Sequence, residues 1–186
     1  MVPAISIFIP VYGESELLEP LLVDLTTDPY ENKEIFAVVD KPTQKSLELV
    51  DAFKDRVHFK LNGERKGKVN VLNELVKESR GEILLFFDSD VQIDRSPEGF
   101  LKRISEEMRE AQIIEVKKSV IRDSFLARIV NYDYLGFNFA NWLFSRTLKK
   151  CLGFNGAAFA IRRKTFTSLG GFRRVISEDL DMGTRS

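Results

Sequence analysis

An α/β fold, with a mostly parallel central sheet flanked by helices, is predicted by three observations. Short apolar runs that end in turn or acidic residues alternate with segments of helical period, the pattern of strands joined by crossover helices. One run, "EILLFFD" (82–88), is apolar on both faces, as a strand in the middle of a parallel sheet must be. And 186 residues are enough for one domain with a full hydrophobic core, whereas two domains would each be small.

The elements follow in order. "AISIFIP" (4–10) is the first strand, closed by Pro10. Leu17, Leu18, Leu21, Leu22 and Leu25 recur at helical spacing between Glu14 and Thr27, which requires Pro20 to fall in the first turn. "EIFAVVD" (34–40) is a second buried strand, and Leu47, Val50 and Phe53 mark the next helix. "VHFKL" (57–61) is a third strand, Val71, Leu72, Leu75 and Val76 a helix ending near Gly81, and 82–88 the fourth strand. A charged helix is expected over 97–110, a strand at "QIIEVKK", an aromatic-rich segment over 123–150, and strand and turn at "GAAFAIRRKTF". The chain stops soon after "SEDLDMG". The expectation is a single domain over 1–186, regular over 1–95, of different texture over 96–186, and cut short at its carboxyl end.

Charge and composition exclude several classes. Lysine plus arginine and aspartate plus glutamate both total 28, so no global field draws the chain onto nucleic acid, and anion recognition has to be local. Cys151 is the only cysteine, which excludes an internal disulfide and a cysteine zinc site and fits a reducing, cytoplasmic compartment. The amino terminus lacks the basic region and cleavage site of a signal peptide, and its apolar run is far short of the roughly 20 residues a spanning helix needs. His58 reads as structural and Cys151 as a packing residue, with no histidine near it in sequence.

The chemistry gathers at strand ends. Asp88 and Asp90, separated by Ser89, stand where a central strand meets its loop, and ligands of open α/β sheets bind outside the carboxyl ends of strands. Two like charges at alternate positions are relieved by a hard cation, or, in the alternative, by capping and amide hydrogen bonds. Asp40 ends the second strand and reads either as a turn residue or helix cap or as an acceptor for a base or ribose donor. The first strand ends in "IPVYGE", where Pro10 fixes the backbone, Tyr12 offers a ring and Glu14 a carboxylate. Arg65, Lys66 and Lys68 cluster around Gly67 before a helix, a favourable place for phosphate, although no P-loop motif is present. Glu178, Asp179 and Asp181 form an acidic patch that is either a helix amino terminus or the source of a general base.

In order, "IFIPVYGE", "AVVDK", "GERKGKVNVLNEL", "EILLFFDSD", "FNGAAFAIRRKTFTSLGGF" and "SEDLDMG" resemble the family 2 inverting nucleotide-sugar glycosyltransferases with the Rossmann-like A-type fold. That resemblance implies transfer of a sugar from a nucleoside diphosphate sugar, UDP first, to a glycan or lipid-linked acceptor, with Mg2+ or Mn2+. It places Pro10, Tyr12, Glu14 and Asp40 in the nucleoside pocket, Lys68, Asp88 and Ser89 near the nucleotide, Asp90 and Asp88 on the metal, and Asp179 as base beside Glu178. "VVDKPTQ" departs from the family's more frequent Asp-Asp-Gly-Ser-Thr-Asp. The competing readings are a nucleotide-sugar-binding protein of the same fold that has lost activity, and a sugar-phosphate nucleotidyltransferase. The latter wants a glycine-rich, arginine-bearing loop after the first strand, which "PVYGESE" is not. The segment 131–150, aromatic with Arg146, Lys149 and Lys150, reads as a helix buried on the sheet or as an interfacial element at the inner face of the cell membrane.

Overall fold

The computed structural model describes residues 4–93, 99–116, 156–175 and 178–185, with isolated helical positions between 132 and 147. The expectations for Trp142, Cys151 and most of the aromatic segment 131–150 lie outside the described residues.

Among the described residues six strands form one sheet in the order β3-β2-β1-β4-β6-β5. They are β1 (Ile5–Tyr12), β2 (Lys33–Asp40), β3 (His58–Asn62), β4 (Ile83–Phe87), β5 (Ile113–Glu115) and β6 (Ala158–Arg162). β1 pairs in parallel with β2 and β4, β2 in parallel with β3, while β6 runs antiparallel to both β4 and β5. The chain steps outward from β1 to β3 and then returns to the far side of β1 for β4. That reversal is a topological switch point, and it puts a crevice at the carboxyl ends of β1 and β4.

Alternation along the strands sends the two sets of side chains to opposite helical layers. Ile5, Ile7, Ile9 and Val11 of β1 and Ile83, Leu85 and Phe87 of β4 pack with α1 (Leu18–Thr27), with Phe53 of α2 (Gln44–Phe53), and with Leu101 and Ile104 of α4 (Phe100–Glu107). Phe8, Phe36, Phe86 and Phe159 face α3 (Lys68–Glu78), Phe166 of α5 (Arg163–Ser168) and Met182 of α6 (Glu178–Arg185). Leu18, Leu21, Leu22 and Leu25 of α1 are buried, each contributing about 1.5–3 kcal/mol. Pro20 lies within the first turn of α1, where no intrahelical donor is lost.

Register aligns a row of rings across five strands. Phe8 stands opposite Phe36 and Phe86, Phe36 opposite His58, and Phe86 opposite Phe159. Successive centroids from His58 through Phe36, Phe8 and Phe86 to Phe159 lie 5.0, 5.6, 5.1 and 5.0 Å apart. Phe172 meets Phe86 edge-on at 5.0 Å, tying the "LGGF" turn to the sheet.

Two details differ from the sequence expectation. In α2 the docking residues are Ser46, Leu49 and Phe53, and Leu47 is exposed, because a 47, 50, 53 spacing drifts off the buried stripe. The first strand does not end at Pro10 but continues to Tyr12 along β2, while its pairing with β4 stops at Phe8–Phe86. Ile5 N donates to Asn32 O and Gly13 N to Asp40 O, so odd-numbered amides of β1 face β2 and even-numbered ones face β4. The next rung toward β4 would need an N–H at position 10, and proline has none.

Candidate active site at the carboxyl edge of the sheet

Where β1 outruns β4, a cleft of about 420 Å³ opens, lined by the ends of β1 and β2, the loop before α3 and the loop after β4. That size suits a small-molecule ligand. Asp40, Tyr12, Glu14, Pro10, Lys68, Asp88, Ser89 and Asp90 all line it.

Asp40 ends β2 opposite Asn62, the last residue of β3, and is buried with it. Its Oδ1 accepts from Asn62 Nδ2 at 2.9 Å and its Oδ2 from Lys66 N at 3.0 Å, so both oxygens are oriented. The cap of α2 is Thr43, not Asp40: Thr43 Oγ1 accepts from Ser46 N at 3.3 Å and Ser46 Oγ accepts from Thr43 N at 2.8 Å. Thr43 Oγ1 also donates to Glu14 Oε2 at 2.8 Å, which joins the end of β1 to α2. Tyr12, 56% exposed, carries the Arg65 guanidinium over its ring at 5.1 Å. Ser15 Oγ donates to Ser89 O at 2.7 Å and holds the "DSD" loop against the start of α1.

Lys68, the first residue of α3, does not extend freely into the cleft. Its Nζ lies 2.7 Å from Asp88 Oδ1 and 3.1 Å from Glu178 Oε1. Burial works to lower its pKa, but the hydrogen bonds and charges of Asp88 and Glu178 outweigh it and leave the ammonium above the usual lysine value. The basic loop is therefore already engaged: Arg65 on Tyr12, the Lys66 amide on Asp40, Lys68 on two carboxylates. Asp90, by contrast, is exposed and has no partner among the described residues.

The acidic patch divides by role. Glu178 pairs with Lys68, and Asp181 binds Arg185 Nε at 2.8 Å. Arg185 in turn donates to the carbonyls of Leu169 and Gly171, so Asp181 braces the "LGGF" turn. Asp179 Oδ2 accepts from Gly156 N at 2.6 Å, and the two line a small cavity with Lys68 and Asp88. A Cβ at position 156 would stand 2.7 Å from Asp179 Oδ2 and 2.8 Å from its Cβ, so only glycine allows this approach. All three acidic motifs of the sequence thus meet at one edge.

Sequence reasoning missed Asn62, Gly156 and Asn73. Asn73 Nδ2 donates to Phe172 O at 2.9 Å and its Oδ1 accepts from Phe172 N at 3.0 Å, clamping α3 to the turn that leads into α6. Asn62 had a readable signal, a polar residue just past the strand beside the one that ends in Asp40, and Asn73 closes the Gly-Lys-x-x-x-Leu-Asn run that begins at Gly67.

Among the described residues no group of three or more metal-ligating side chains exists. The donor set nevertheless suits Mg2+ or Mn2+, which take one or two carboxylates and fill their coordination with substrate phosphates and water. The cleft wall carries Glu14, Asp40, Asp88 and Asp90 against Arg65 and Lys68, four carboxylates to two cations.

A mixed sheet with a switch-point cleft, walled by strand-end carboxylates, is the architecture of the A-type glycosyltransferase fold. Residues 6–169 match the Glycosyl transferase family 2, and the chain belongs to that family. Poly-beta-1,6-N-acetyl-D-glucosamine synthase of Staphylococcus epidermidis is 32% identical over 95 residues, 50% of this chain and 23% of the synthase. The mannosyltransferase PcManGT from Pyrobaculum calidifontis, solved with GDP-Man and Mn2+, superposes with a TM-score of 0.69 at 21% identity, covering 96% of this chain and 50% of that one. S. aureus TarS 1–349 in complex with UDP-GlcNAc gives 0.67 at 17% identity, covering 98% and 52%. The chain spans less than half the length of the curated relatives it matches. No helix among the described residues is long and apolar enough to cross a membrane.

Proposed function

We propose that the protein transfers a sugar, with inversion, from a nucleoside diphosphate sugar to an acceptor hydroxyl, with Mg2+ or Mn2+ bound. The observation that carries this reading is the bridge of Lys68 between Asp88 and Glu178, which draws the donor-side strand end and the Asp179 segment to one place. UDP is the preferred nucleotide, supported by the UDP-GlcNAc complex of TarS. A glycan acceptor is supported by the polysaccharide product named for the S. epidermidis relative. Residues 1–95 serve the donor and 96–186 the acceptor.

In this mechanism Asp40 accepts hydrogen bonds from the base, Tyr12 offers its exposed ring beside it, and Pro10, Glu14 and Ser89 shape the pocket. Asp90 and Asp88 would hold the divalent ion, which would supply charge stabilisation for the leaving diphosphate. Asp179 takes the proton of the acceptor hydroxyl. The acceptor oxygen forms its bond to the anomeric carbon from the face opposite the diphosphate, and the bond from that carbon to the phosphate oxygen breaks with its electron pair leaving on the nucleotide. One displacement inverts the centre. Glu178, held by Lys68, positions the Asp179 segment.

Asp179→Asn tests the reading. It abolishes transfer while leaving UDP affinity intact, and NMR of the wild-type product shows the anomeric configuration opposite to that of the donor. Retained transfer by Asp179→Asn, or a retained configuration, would sink it. For residues 131–150 we propose peripheral contact with a lipid surface that brings a lipid-linked acceptor near. Liposome co-sedimentation that Trp142→Ala leaves unchanged would reject that contact.

A further inference from the structure

Lys68 occupies one oxygen of a carboxylate that the proposed mechanism assigns to a divalent ion. Its Nζ is 2.7 Å from Asp88 Oδ1 and is the one side-chain partner of that carboxylate among the described residues. A Mg2+ ion bound to the same carboxylate sits about 2.0–2.1 Å from its oxygen. Two cations on one carboxylate are then only a few ångströms apart in a part-buried site, where their repulsion is poorly screened. Lys68 and Asp88 are 36% and 33% exposed, so water reduces the conflict without abolishing it.

Resting on the reading of Asp88 as a donor-site carboxylate, we propose that Lys68 is a built-in counter-cation that divalent metal must displace from Asp88, so that metal and nucleotide bind cooperatively. Metal alone must break the Lys68–Asp88 pair and leave the ammonium with Glu178 as its remaining partner. Metal arriving with a diphosphate brings fresh anionic oxygens within reach of the displaced ammonium. The nucleotide therefore refunds what the metal loses, and by linkage each ligand tightens the other by the same factor. Lys68 is a positioning residue in this scheme. Because it also holds Glu178, its movement transmits donor occupancy to the neighbouring Asp179.

The test is Mn2+ binding, followed by electron paramagnetic resonance and calorimetry, to wild type, Lys68→Met, Lys68→Arg and Lys77→Met, each with and without UDP. Wild type is expected to bind Mn2+ weakly alone and much more tightly with UDP. Lys68→Met is expected to bind Mn2+ alone at least about fivefold tighter than wild type, and to lose at least that factor of the UDP effect. Lys68→Arg keeps the charge and the coupling, and Lys77→Met, which removes a lysine at the far end of the same helix, behaves as wild type. Folding is checked by circular dichroism. A folded Lys68→Met that binds Mn2+ no tighter than wild type overturns the proposal, as does an equal gain in Lys77→Met. Mn2+ that fails to bind any form even with UDP overturns it together with the metal reading. Wild type that binds Mn2+ with UDP, with no change in Lys68→Met, overturns the lysine's role alone.

Discussion

Gly156 and Asp179 touch through the amide and Oδ2 at 2.6 Å, closer than any side chain at position 156 would permit. Gly156→Ala is expected to push Asp179 off its position. A displacement of that kind lowers kcat by about 100-fold. UDP affinity, set in the larger cleft that neither Gly156 nor Asp179 lines, stays unchanged. Steady-state kinetics with UDP calorimetry separates the two effects, and an unaltered kcat would show that Asp179 is not held through Gly156.

Asp40→Asn replaces one carboxylate oxygen by a donor, and both oxygens now accept from Asn62 and Lys66. The Asn62 amide can turn its oxygen to the new donor, so the change strands no donor but removes the negative charge and an acceptor offered to the base. UDP affinity is expected to fall, with Asn62→Ala reproducing a milder form of the loss. Calorimetry of both variants checks this.

Asp181 and Asp179 are two residues apart yet predicted to separate cleanly in assay. Asp181→Asn weakens the clamp of Arg185 on the "LGGF" turn and lowers Tm. Asp179→Asn removes transfer with little change in Tm. Thermal melts run beside turnover measurements show whether the pattern holds.

Gly81 is, among the described glycines, the one a side chain would crowd most. A Cβ there would stand 2.4 Å from Ser6 Oγ, 2.5 Å from Ser6 N and 2.9 Å from Ala4 O, with strand backbone unable to give way. Gly81→Ala is expected to cost about 3 kcal/mol or more, read from urea denaturation.

Glu34 predicts a pH dependence. Burial raises its pKa, but hydrogen bonds from Ser6 Oγ and the amides of Arg80 and Gly81, together with Arg163, outweigh burial and hold it below the ordinary value of 4.5. A depressed carboxylate contributes stability that is fully present above that ordinary value and is lost as pH falls through the depressed one. Glu34→Gln is therefore less stable than wild type at neutral pH, and the gap narrows in acid. A gap that is constant with pH would contradict the assignment.

The strands were legible because their apolar runs are continuous, and Asp40, Asp88 and Asp90 could be placed because strand ends in such a sheet converge. Local spacing misled at Leu47, where a three-residue step imitates a helix face without staying on it. The partners of Lys68 were out of reach: Asp88 lies 20 residues away and Glu178 lies 110 away, and nothing in "GERKGKVNVLNEL" reports which carboxylates the fold brings to it. The glycine in "FNGAAF" was equally silent, since its reason is a carboxylate 23 residues later.

Pro10 gives the cleft its origin. Any other residue there would present an amide to the loop after β4 and invite one more rung between the two strands. The binding site is thus a seam left unzipped, and a single imino acid acts as the stop that keeps the sheet from closing over its own ligand.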